Sequence, residues 1–295
     1  MTRTLLGIVV LIAASVLVMA GIILYDSAFP AQRVTDLTNV TYSGPNGVTL
    51  HGYLARPTGN GPHPAVLMIH EFYGLNRDVI KKANLLADQG YVVLAADSYR
   101  GQTTALIPRA IFLTVTTPQD RIASDLDAAF RYLSTVQGVD ALRVGAVGFC
   151  FGGTQVMKMG TRNGDLAAAV IFYGSGPITD PAALGVMGRR GPVLGIYGEQ
   201  DQGIPLAEVR GFELAMQARG VPHRVTVYPG VGHAFVTSAS LAQPGAAQQA
   251  WGEMLAFLAQ NLKGQAMAEL AAPPEGPVAA PTGAPGILSA LHRLH

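Results

Sequence analysis

A series of short, almost wholly apolar runs, widely spaced along the chain, limits what this sequence can fold into more than any other feature. The runs cover residues 65–69, 91–96, 144–147, 168–172, 193–197 and 224–228. Runs this short and continuous suit strands buried on both faces, the environment of a mostly parallel sheet. Stretches with helical spacing lie between them. Residues 78–89 carry Val79, Ile80, Ala83, Leu86 and Ala87; residues 120–136 carry Ile122, Leu126, Ala129, Phe130 and Leu133. Residues 206–219 and 246–262 repeat the spacing, so each apolar stripe can face a sheet. Ahead of the series, residues 40–43 and 49–56 alternate apolar and polar positions around Gly44-Pro-Asn-Gly47, as an antiparallel hairpin with one wet face does. The expected class is α/β: an open, doubly wound, mostly parallel sheet with an N-terminal antiparallel hairpin.

Both ends of the chain depart from this pattern. Residues 5–24 are uncharged and predominantly apolar. At 1.5 Å per residue such a run reaches about 30 Å, the hydrocarbon thickness of a bilayer. Two readings compete: an uncleaved transmembrane signal-anchor, or a secretory signal peptide cut after Val18-Met-Ala20. The run continues past that site through Gly21-Ile-Ile-Leu24 and exceeds the usual signal core, which favours the anchor. Arg3 before the run and Asp26 after it point to an N-terminus inside, so the rest of the chain is expected outside the cytoplasm, membrane-anchored, or secreted or periplasmic if the N-terminus is cleaved. Residues 265–295 are rich in Ala, Pro and Gly and are expected to be a disordered tail. The expected division is 1–30, 31–264 and 265–295. Of the 295 residues, 49% are apolar and 13% charged, which excludes a wholly disordered chain and allows a large core. The net charge is +1, with no basic run, so no nucleic-acid partner is expected.

The lone cysteine, Cys150, excludes an internal disulfide and a cysteine-rich metal site. A lone cysteine is ordinarily a small buried hydrophobe. This one lies in Gly148-Phe-Cys-Phe-Gly152-Gly153, which has the form of a nucleophile elbow with cysteine in the attacking position. Such a turn is tight and strained, and side chains in place of its glycines would obstruct it. An apolar run precedes the motif and a helix-compatible stretch, residues 154–160, follows it. A helix N-terminus there would favour the thiolate. His233, in Gly232-His-Ala-Phe235, follows the last expected strand; its ordinary pKa of about 6.5 suits proton transfer near neutrality. Asp201, in Gly198-Glu-Gln-Asp201, follows the strand before it and can orient the imidazole. Glu199 competes for that role, but Asp201 lies further along the loop. The order Cys150, Asp201, His233 is the nucleophile–acid–base order of the α/β-hydrolase fold. Each residue is weak evidence alone; together they fall on the strand ends where open α/β sheets build sites. In that fold the oxyanion donors would be the backbone N–H groups of Phe72 and Phe151. Glu71 is an oddity here, a carboxylate expected beside a thiolate.

Taken with His70-Glu71-Phe-Tyr-Gly74 and Ala96-Asp-Ser-Tyr-Arg100, these motifs resemble the dienelactone hydrolase family from about residue 40 to 262. The resemblance implies hydrolysis of a small ester or lactone through an acyl-thioester on Cys150, with no metal or organic cofactor. It implies that Glu71 interacts with Cys150 and holds the thiol at rest, and that Arg100 binds a substrate carboxylate. Tyr73 and Tyr99, with Phe72 and Phe151, would give the pocket aromatic walls. The chain departs from the family in one respect. Where dienelactone-cleaving members carry a second carboxylate-binding arginine after the catalytic histidine, it has Val236-Thr-Ser238. A threonine does not replace a charge-assisted arginine contact. A broad carboxylesterase or thioesterase, and a non-catalytic membrane-tethered binding module, are the alternatives.

Overall fold

The apolar runs assemble in one eight-stranded sheet, five of them as inner strands and the last, residues 224–228, at its edge. The computed structural model describes residues 2–28 and 33–264; the expected tail, 265–295, lies outside the described residues. The strands are β1 (Val40–Ser43), β2 (Thr49–Ala55), β3 (His63–Ile69), β4 (Val92–Ala96), β5 (Val139–Phe149), β6 (Ala169–Phe172), β7 (Val193–Gly198) and β8 (His223–Tyr228). The helices are α1 (Thr2–Ala28), α2 (Arg77–Asp88), α3 (Ile107–Thr116), α4 (Gln119–Thr135), α5 (Phe151–Arg162), α6 (Leu206–Arg219) and α7 (Ala246–Leu258). Every residue from Ala65 to Ile69 is 0% exposed, which is why that run carries no alternation.

The strand order is β1-β2-β4-β3-β5-β6-β7-β8. The hairpin β1–β2 and the pair β2–β4 are antiparallel; all other pairs are parallel. The chain leaves β3 for β4 on one side and then crosses back over β3 to β5 on the other. A doubly wound sheet opens a crevice at such a switch point, beyond the carboxyl ends of the two strands that part there. The residues after β3 and β5 are Glu71–Phe72 and Cys150–Phe151. Right-handed crossovers put α2 on the face opposite α4 and α5. Asn76 caps α2, its side chain accepting from the N–H groups of Asp78 and Val79 at 2.9 and 3.2 Å.

Several boundaries differ from the sequence expectation. β5 starts at Val139, five residues before its apolar run, because its first five residues are only partly buried or exposed and so carry no continuous apolar signal. The helix after the cysteine begins at Phe151 rather than residue 154, directly on the elbow. The last helix changes to a wider turn over Ala259–Lys263. α3 was not anticipated. Its apolar residues point outward as well as inward, which blurs the periodic pattern that marks a helix on a core.

α1 has a span, Ile8–Ala28, long and apolar enough to cross a membrane, and none of its most apolar window is buried. Its last turn is fastened to α3 and the loop before it. Asp26 accepts a hydrogen bond from the Thr104 hydroxyl at 2.6 Å and pairs with Arg109 Nε at 3.3 Å. Arg109 also donates to the Ile23 carbonyl at 3.2 Å and to Ser27.

Candidate active site

Cys150 sits between β5 and α5 with φ 54° and ψ −115°, a conformation that L residues rarely adopt. The surrounding turn holds it there. Its N–H donates to the Phe172 carbonyl at 3.0 Å, and its carbonyl accepts from Thr154 N–H at 3.1 Å. The glycines permit close approach. A Cβ at Gly148 would lie 2.1 Å from the Gly152 carbonyl oxygen, and one at Gly152 would lie 2.2 Å from that of Ile69. The elbow therefore packs directly on the end of β3, beside the loop that carries Glu71 and Phe72.

His233 bridges the other two candidate side chains. Its Nε2 is 3.0 Å from Cys150 Sγ and its Nδ1 is 2.7 Å from Asp201 Oδ2. The Asp201 carboxylate is 1% exposed, and its second oxygen accepts from Gly203 N–H at 2.9 Å. Glu199, the competing acid, is exposed and accepts from Gly230 N–H at 3.1 Å. The Cys150 hydrogen bond and charge, together with Asp201, raise the His233 pKa to about 9. Tyr173 meets the imidazole edge-on at 5.2 Å between ring centres.

These residues open into a cavity of about 460 Å³ lined by Phe72, Thr114, Gln119, Cys150, Phe151, Thr154, Gln155, Lys158, Ser175 and His233. That volume suits a small organic molecule. Phe72 and Phe151 both reach the wall beside Cys150, one from each strand end at the switch point. Lys158 is the charged lining residue besides the imidazole and donates to Gln119 Oε1 at 3.0 Å.

His70 organises the loop from beneath. Burial lowers its pKa to about 4, so the ring is neutral. Its Nδ1 donates to the Glu71 carbonyl at 2.6 Å, and its Nε2 accepts from Ser98 N–H at 3.1 Å. The ring stacks on Phe151 at 5.6 Å between ring centres, tying together the loops after β3, β4 and β5.

The family model of the dienelactone hydrolases matches residues 50–262. The chain belongs to the dienelactone hydrolase family. It is 30% identical over 244 residues to a provisionally named carboxymethylenebutenolidase of Synechocystis, covering 77% of this chain and 99% of that one. A relative from Methylorubrum extorquens with the same provisional name is 33% identical over 195 residues, 62% of this chain and 67% of the other. The crystal structure of a provisionally assigned dienelactone hydrolase from Klebsiella pneumoniae superposes with a TM-score of 0.64 at 28% identity. It covers 75% of this chain and 98% of that one. This dienelactone hydrolase family member has the α/β-hydrolase fold and is an ester hydrolase with a small-molecule ester as its substrate.

Four residues expected at the site do not line the Cys150 cavity. Arg100 is drawn away by Asp125: Nε and Nη2 bond the two carboxylate oxygens at 2.8 Å each. It lines a separate hollow beside the hairpin turn, with Asn46 and Ser124, and does not line the Cys150 cavity. Tyr99 is 0% exposed and packs behind the wall on Phe151, with its hydroxyl 3.0 Å from the Thr114 hydroxyl. It supports the cavity rather than lining it. Glu71 does not bond Cys150; its carboxylate lies 3.4 Å from Lys82 Nζ, while the sulfur turns to His233. Tyr73 lines a neighbouring hollow with Asn76 and Thr103, near enough to the centre for Glu71 and Cys150, after burial, to raise its pKa.

Lys82 is the residue that sequence reasoning passed over. It is 0% exposed, pairs with Asp78 at 2.9 Å as well as Glu71, and lies 4.2 Å from the centre of the Phe149 ring. The signal was present: a lysine between Val79 and Leu86 falls on the helix face that those residues bury.

Proposed function

We propose that this family member cleaves a small ester or lactone by nucleophilic catalysis at Cys150. The observation that carries the reading is the hydrogen-bonded line from sulfur through imidazole to carboxylate, at 3.0 and 2.7 Å. The Cys150 thiolate attacks the substrate carbonyl, forming the S–C bond as the C=O pair moves to oxygen. The N–H groups of Phe72 and Phe151 hold that oxyanion. Collapse of the tetrahedral species expels the alkoxide, which takes the proton of His233. His233 then removes a proton from water, whose oxygen attacks the thioester, and the acid leaves with the thiol restored. Asp201 fixes the ring orientation and stabilises the imidazolium.

The substrate class follows from the wall. With Arg100 held by Asp125, an anionic lactone would find Lys158 as its cationic contact; a neutral ester needs none. A panel of simple esters and unsaturated lactones separates a lactonase from a broad carboxylesterase. Cys150→Ala should abolish turnover, and wild-type hydrolysis of p-nitrophenyl acetate by that variant would end the cysteine reading. We also read residues 1–30 as an anchor, with the domain over residues 31–264 on the non-cytoplasmic side. The support is the apolar span Ile8–Ala28 and Arg3 before it.

A further inference from the structure

The helix α3 carries its apolar surface on the wrong side for a core helix. Ile107, Ile111 and Val115 recur every four residues and are 57%, 51% and 73% exposed; Phe112 beside them is 42% exposed. The opposite face holds Arg109, Ala110 and Leu113, all buried. An apolar stripe turned outward on a surface helix marks a contact with something apolar. The stripe adjoins α1, whose own apolar window is uncovered along its length. Buried Asp26 and Arg109 join the last turn of α1 to α3. Whatever medium covers residues 8–24 therefore continues onto the neighbouring stripe.

α3 also follows β4 at the carboxyl edge of the sheet, and Thr114, between Ile111 and Val115, lines the Cys150 cavity. We propose that α3 is a second membrane contact, its outward stripe resting in the interfacial layer of the bilayer that α1 crosses. This rests on reading α1 as an anchor. An interfacial helix buries its apolar face at the boundary of headgroups and acyl chains. The Thr114 edge of the cavity then stands at that boundary, and esters dissolved in the lipid reach Cys150 without crossing bulk water. The asymmetry between the two helices fits: α1 is apolar all round, whereas α3 is apolar on its outer face and tied to protein on its inner one.

The test uses the full chain reconstituted in phosphatidylcholine vesicles whose acyl chains are brominated near the headgroup. Bromine quenches tryptophan only where the two touch. The native Trp251 is buried in α7 and supplies the background. Phe112→Trp should lose emission relative to the same variant in unbrominated vesicles, and its added emission should lie to the blue of that of a water-exposed tryptophan. Leu142→Trp, exposed at the opposite end of the sheet, should do neither. Leu17→Trp, at the middle of the Ile8–Ala28 span, reports the anchor itself in parallel vesicles brominated at the acyl-chain ends. Quenching of Leu17→Trp with an unquenched Phe112→Trp overturns the α3 contact and leaves the anchor standing. An unquenched Leu17→Trp overturns both. A blue shift of Phe112→Trp without quenching means that a second copy of the protein covers the stripe, which also overturns the proposal. Ile111→Trp repeats the measurement if Phe112→Trp does not fold.

Discussion

Lys82 Nζ lies 3.4 Å from Glu71 Oε1, with the lysine wholly buried and the carboxylate 13% exposed. An ammonium taken out of water is tolerated only when its charge and its protons are matched. Glu71 and Asp78 supply the charge, and the Phe149 ring supplies a cation–π face. The carboxylate that follows β3 is thereby neutralised locally, beside a cysteine whose reactive form is an anion. Lys82→Met should destabilise the fold by roughly 3 kcal/mol, because Glu71 keeps its charge and loses its partner. Combining it with Glu71→Gln should recover part of that loss. Denaturant unfolding of the four proteins measures both values.

Removing the imidazole tests the proton transfers. His233→Ala should lower kcat/KM about 100- to 10,000-fold, the usual contribution of a positioned acid–base. Stopped-flow assays with an activated ester and an unactivated one separate its two roles. The unactivated ester should suffer more, since its alkoxide needs the proton.

The pH profile follows from the raised pKa of His233. At about 9 instead of 6.5, the ring stays protonated through neutrality. As pH rises through about 9 the imidazolium is lost, and with it the partner of the thiolate and the proton for the leaving group. Turnover should therefore fall on the alkaline side near pH 9. Asp201→Asn removes a carboxylate that raises this pKa, and should move the alkaline limb to lower pH. An unchanged limb in that variant would show that His233 does not set it.

The elbow should not accept a methyl group. Gly152→Ala would put its Cβ 2.2 Å from the Ile69 carbonyl oxygen, which is sheet backbone and cannot yield cheaply. Overpacking of this kind costs about 1–3 kcal/mol or more. Gly252→Ala in α7 meets nothing within 4 Å and serves as the control. Thermal melts compare them.

Lys158→Ala should raise KM for lactones bearing a carboxylate and leave KM for neutral esters unchanged, by the loss of one charge-assisted contact. Arg100→Ala should alter neither, since Asp125 already occupies its guanidinium. The same substrate panel reads both variants.

The sheet was legible in the sequence because burial on both faces leaves a run of apolar residues with no alternation, as at 65–69. The line of Cys150, His233 and Asp201 was legible from order alone, each lying after a strand that a parallel sheet must align. What was not legible depends on pairing across the chain. Nothing local tells Arg100 that Asp125, a full turn of fold away, will take its guanidinium. Nothing local separates Tyr99, turned inward, from Tyr73, turned toward a hollow. α3 escaped notice because its outward face breaks the rule that apolar means inside. Lys82 could have been found, as a charge on a buried stripe, but its partner Glu71 could not.

The backbone at Cys150 has one more consequence. Its φ of 54° is imposed by hydrogen bonds and by glycine contacts that involve no atom of the side chain. The scaffold thus decides where the attacking atom stands and is indifferent to which element it is. Exchanging sulfur for oxygen would leave the address intact and alter only the acidity of the group delivered there and the lifetime of the acyl species it carries.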